Sequence, residues 1–204
     1  MTDHELLTAL LAEKSAKKGH FRLASGRESN FYIDARLTTM SPDGLALIGR
    51  LGLAAIRESG WQVEAVGGLT LGADPVSYAI SYTSADSNRP LRAFTVRKEA
   101  KTHGTGKFIE GPFHANDRVV VIEDVITTGG SALRAVDAVR AAGGTVSGIL
   151  AVVDRQEGGR EALEAAGVQV ISLTTADEIM AALEKRDAEQ ESTSASSQDK
   201  RPTA

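Results

Sequence analysis

The chain has 204 residues, 42% of them hydrophobic, a net charge of −4 and no cysteine. That length and apolar content suit one packed domain with a small accessory piece, and exclude global disorder. The acidic balance argues against general nucleic-acid binding, and the absence of cysteine removes disulfides, zinc–thiolate sites and thiol nucleophiles. No apolar run approaches the roughly 18 residues of a membrane span, and no signal-peptide core opens the chain, so a cytoplasmic location is expected.

Thr2 and Glu5 form a capping box, followed by an apolar stripe of Leu6, Leu7, Leu10 and Leu11, with Gly19 as the helix stop. Residues 21–24 and 30–33 read as short strands around a Ser25-Gly26-Arg27 turn, hence a hairpin. Ser41 and Pro42 start a second helix as N-cap and first residue; its apolar face is Leu45, Ile48, Leu51 or Gly52, Ala55 and Ile56, and Gly60 ends it. From there strands and helices alternate. Strands are expected at 63–66 (running into a Gly-rich turn over 67–72), 91–96, 119–122, 146–153 and 168–173, and helices near 75–82, 132–142, 161–166 and 178–185. That rhythm implies parallel pairing in an α/β doubly wound sheet, with ligands beyond the carboxyl ends of the strands. The organisation expected is an N-terminal hood over 1–40, an α/β core over 41–186 and a polar, disordered tail over 187–204.

Three stretches carry chemistry. In the run 119–133, a buried strand meets two acids, Glu123 and Asp124, and then a donor-rich turn, Thr127, Thr128, Gly129, Gly130 and Ser131, that opens a helix. Backbone N–H groups and the helix dipole at such a turn suit a phosphate, and the acids suit ribose hydroxyls or Mg²⁺. On this pattern alone, an ordinary βα turn capped by Ser131 with two solvated acids is the alternative. The second stretch, 97–116, lacks periodicity and gathers Arg97, Lys98, Lys101, His103 and Lys107 among glycines. It is either a lid for a polyanion or a solvated loop. The third is the hairpin itself.

Together these stretches resemble the type I phosphoribosyltransferases, and more narrowly the orotate branch, over residues 3–185. The run 119–133 is similar to that superfamily's motif for phosphoribosyl pyrophosphate (PRPP). The segment 97–104, RKEAKTHG, resembles the catalytic loop of the orotate enzymes, and 21–34, FRLASGRESNFYID, their orotate-binding hairpin. The resemblance implies that Thr127 to Ser131 hold the 5-phosphate. It implies that Glu123 and Asp124 bind the ribose hydroxyls and help position Mg²⁺ carried on PRPP. Arg97, Lys98, Lys101 and His103 would bind pyrophosphate, and Lys101, His103 and Asp124 would be the catalytic groups. Orotate would meet Arg155, Thr127, Arg27, Phe31 and Tyr32. Arg155 reads otherwise as a surface ion pair, and the rings of Phe31 and Tyr32 as plain core aromatics. A homodimer sharing its loop across subunits is implied too, as are no nucleic-acid and no membrane partner. Ala24 and Leu71 stand where many relatives carry lysine. The implied activity is phosphoribosyl transfer to orotate in pyrimidine synthesis. The alternatives are a purine-base phosphoribosyltransferase and a non-catalytic PRPP-sensing regulator.

Overall fold

A computed structural model describes residues 1–22, 28–99 and 108–198. Its order is α1 (Asp3–Lys14), β1 (Ala16–Arg22), β2 (Glu28–Ile33), α2 (Arg36–Thr39), α3 (Pro42–Glu58), β3 (Ala65–Leu69), α4 (Ala73–Ser84), β4 (Arg92–Val96), β5 (Ile109–Glu110), β6 (Arg118–Ile126), α5 (Gly130–Ala141), β7 (Thr145–Asp154), α6 (Gly159–Ala165), β8 (Val170–Thr175) and α7 (Ala176–Gln198). The main sheet runs β5-β4-β3-β6-β7-β8. Every neighbouring pair in it is parallel except β4–β5.

Sequence alternation explains why β6 is buried on both faces. Val120 and Ile122 join a cluster with α1, α3, α4 and α7, whereas Val119 and Val121 join one with α5 and α6. Crossover helices thus cover both sides, as parallel sheets require. Phe31 and Ile33 of the hairpin belong to the first cluster, so the hood shares the core of the sheet.

The Thr2–Glu5 box is formed in both directions, and Ser41 caps α3 with Pro42 at its start. Several boundaries differ from expectation. Helix α1 stops at Ser15, and Gly19 lies within β1, because the chain from Ala16 pairs antiparallel with β2. Strand β3 runs through Gly67 and Gly68, which read as a turn. A Cβ at Gly67 would meet Phe94 O at 2.2 Å, and one at Gly68 would meet Ile122 O at 2.0 Å. The glycines are there for close strand packing. Strand β6 continues past both acids to Ile126. The polar tail expected from Asp187 is corrected in part, since α7 stays helical to Gln198. Asp187 accepts from Lys18 Nζ at 2.9 Å and Arg186 reaches Ala12 O at 3.3 Å, tying the helix to the hood beyond its last apolar turn.

Candidate active site

The carboxyl ends of β3, β4, β6 and β7 open on one edge of the sheet. There a cleft of about 640 Å³ lies between the hood and the loops after these strands. A recess of about 480 Å³ on the opposite edge, by Trp61 and Pro90, gathers none of the strand-end loops.

The turn after β6 is built for an anion. Gly129, with φ +79°, is the N-cap of α5, and no side chain caps the helix, so the ordinary turn capped by Ser131 is not what forms. The first amides of α5 are left facing the cleft, where Thr127, Thr128 and Ser131 add hydroxyl donors. A side chain at 129 would strike Leu163 Cγ at 2.9 Å and Gly159 O at 3.0 Å, so the left-handed glycine is also sterically required.

Glu123 and Asp124 both line the cleft, but in different settings. Glu123 is 7% exposed. Burial first, then the hydrogen bond and charge of Asp124, push its carboxyl well above the usual range. A carboxyl whose protonated form is favoured in this way suits a sugar hydroxyl better than a cation. Asp124 is only partly buried, and its Oδ1 accepts the Val125 N–H at 2.9 Å. The turn after β3 presses against it: a Cβ at Gly72 would lie 2.4 Å from Asp124 Oδ1. Among the described residues no group of three or more acids and histidines could hold a metal. The single carboxylate of Asp124 suits instead an ion that arrives on substrate phosphates, as Mg²⁺ does.

The raised Glu123 pKa has a consequence for stability. An acid whose pKa is higher folded than unfolded favours the fold below its unfolded pKa, and that contribution is lost as pH rises toward the folded value. Glu123→Gln, permanently neutral, is expected to have a higher Tm than the parent at pH 8 and the same Tm at pH 4. Calorimetry at both pH values checks this, and equal Tm at pH 8 would contradict the buried neutral carboxyl.

Arg155 is buried, not a surface pair. Its Nη2 donates to Phe31 O at 3.3 Å and lies 2.8 Å from Glu157 Oε1, and its Cζ sits 5.6 Å from the Phe31 ring centre. The Phe31 ring is buried beneath Arg155, while Tyr32 is 38% exposed and lines the cleft with Arg155. Lys98 reaches the cleft. Arg97 is drawn toward Glu110 at 3.4 Å, and its N–H bonds Phe108 O at 2.8 Å, closing the base of the 97–108 excursion. Arg27, Lys101 and His103 lie outside the described residues, as does Ala24. Sequence reasoning missed Asp34 and Arg36, which line the hood side of the cleft. Their only signal was an acid and a base two residues apart between a strand and a helix.

No protein-family model matches the chain. Relatives over most of its length are named orotate phosphoribosyltransferase. That of Aquifex aeolicus is 44% identical over 183 residues, 88% of this chain and 99% of its own. That of Rhodopirellula baltica is 45% identical over 173 residues, 83% of this chain and 90% of its own. Among solved structures, Mycobacterium tuberculosis orotate phosphoribosyltransferase in complex with PRPP is 41% identical with a TM-score of 0.73, over 87% of this chain and 99% of that one. Adenine phosphoribosyltransferase from Leishmania donovani, 19% identical with a TM-score of 0.61, shares the fold alone.

Proposed function

The chain belongs to the orotate phosphoribosyltransferase family, and from that premise we infer how its cleft works. It transfers the phosphoribosyl group from PRPP to orotate, giving orotidine 5′-monophosphate and pyrophosphate in pyrimidine synthesis. The observation that carries this reading is the meeting, in one cleft, of the uncapped α5 amides, the Glu123–Asp124 pair and Arg155.

The amides and hydroxyls of 128–131 hold the 5-phosphate. Glu123 and Asp124 take the ribose hydroxyls, which fixes the anomeric carbon between phosphate loop and hood. Arg155, stiffened by Phe31 and Glu157, offers a guanidinium to the orotate carboxylate, with Tyr32 beside the pyrimidine. The orotate ring nitrogen bonds to the anomeric carbon as the bond to pyrophosphate oxygen breaks. The electron pair leaves with pyrophosphate through an oxocarbenium-like transition state. Lys98, with Arg97, Lys101 and His103 of the loop, meets that growing charge, so the protein's part is positioning and electrostatics. Arg27 is assigned to the orotate side. Mg²⁺ arriving on PRPP, with Asp124 as its protein oxygen, would neutralise phosphate charge.

Loss of orotate absorbance on mixing the protein with PRPP, Mg²⁺ and orotate tests the activity. Turnover of hypoxanthine with none of orotate would overturn it.

The family resemblance also supports a homodimer whose loop acts in the neighbouring site. The exposed faces of Tyr78 and Tyr82 on α4 offer apolar surface for it. Two inactive variants, Lys101→Ala and Asp124→Asn, are then expected to complement. Random re-pairing makes half the dimers mixed, each with one intact site, so activity returns to roughly a quarter of the parent. Failure of refolded mixtures to regain activity would place Lys101 in its own subunit's site. No helix among the described residues is long and apolar enough to cross a membrane, and the absence of cysteine accords with a cytoplasmic location.

A further inference from the structure

We propose that Arg36, held in place by Asp34, binds the pyrophosphate end of PRPP, with Asp34 as its positioning residue. The assignment rests on the phosphoribosyl-transfer reading above.

Helix α2 begins directly after the hairpin, which sets Arg36 at the hood rim of the cleft. Asp34 grips it as a fork: Nε donates to Oδ1 at 2.8 Å and Nη2 to Oδ2 at 3.0 Å. The Arg36 backbone N–H adds a third bond to Oδ1 at 3.2 Å. A long, half-exposed side chain thus loses most of its rotamer freedom before any ligand arrives, and Nη1 is not among the nitrogens bonded to Asp34. The arrangement resembles a preformed oxyanion clamp more than a surface ion pair.

Charge decides what it takes. Asp124 lines the cleft, and the carboxylate of Asp34 is matched by Arg36 itself, so a polyanion entering it needs cations. Arg155 is committed below the rim to Glu157 and Phe31. Leu71, 52% exposed at the cleft wall, contributes none. Among the described residues that leaves Lys98 from the β4 end and Arg36 from the hood. The 5-phosphate already has the α5 amides. Arg36 and Asp124 line the same cleft. The next anion past the ribose carboxylates is pyrophosphate.

Calorimetric titration of Mg²⁺-pyrophosphate into the parent and into Arg36→Met tests this without any turnover of orotate. Affinity is expected to fall about ten-fold, with KM for PRPP rising in step and KM for orotate unchanged. Asp34→Asn should move the same constants by less. The double variant should be no worse than Arg36→Met, since Asp34 acts through Arg36. Unchanged pyrophosphate affinity in Arg36→Met, or a rise confined to KM for orotate, overturns the proposal. Orotate-inactive parent protein that still binds pyrophosphate through Arg36 would instead sink the functional reading alone.

Discussion

Asp124→Asn is expected to lower kcat/KM for PRPP on the order of 10²-fold or more, about 3 kcal/mol of transition-state stabilisation, while leaving the fold unchanged. The side chain is partly exposed in the cleft, and its Oδ1 accepts from Val125 N–H. Asparagine keeps that oxygen and the volume beside Gly72, so the turn after β3 has no reason to move. What disappears is the negative charge that the proposed mechanism sets beside the ribose hydroxyls and the substrate-borne cation. The same change withdraws a charge that helps keep the Glu123 carboxyl high, so Glu123 ionises more easily in the variant. Initial rates followed by orotate absorbance, with Tm measured in parallel, check the prediction. An equal Tm with a rate within about threefold of the parent would remove Asp124 from the chemistry.

Gly68→Ala should do the reverse, harming stability from a residue that does not itself line the cleft. The added methyl would lie 2.0 Å from Ile122 O and 2.7 Å from Ala73 Cβ. Strand β3 is hydrogen-bonded to β4 on one side and β6 on the other, and the β3–β6 ladder runs only to Gly67–Val121. The chain therefore cannot slide away without breaking pairs in the middle of the sheet. Overpacking of this kind costs about 3 kcal/mol, or roughly 6–12 °C in Tm for a chain of this size. A calorimetric Tm within about 2 °C of the parent would show that the strands can separate at little cost.

These residues also show what a sequence discloses. The doubly wound core was legible because β-branched runs alternate with amphipathic helices, and the turn at the cleft because glycines and hydroxyls crowd one βα junction. Gly67 and Gly68 misled, because a glycine that relieves a clash between strands is written the same way as one that makes a turn. The acids misled too. Glu123 looks solvated in a list of residues, yet it sits in a strand whose depth is set by partners far along the chain. Arg155 was legible as a cation at a strand end, but its burial under the hood was not, since Phe31 lies 124 positions away. The pair Asp34 and Arg36 was passed over because neighbouring opposite charges are common on solvated surfaces.

The packing of α1 on α7 has a further consequence. Leu7 and Leu11 share a cluster with Ile179 and Leu183, and Thr8 bonds Thr174 across 166 positions at 3.1 Å. During synthesis, the hood leaves the ribosome well before its supporting helix α7. Until α7 emerges, the nascent chain holds an apolar stripe of leucines without its partner, exposed to chaperones or to other unfinished chains. The hood's packing is thus completed only after the turn before α5 has been made.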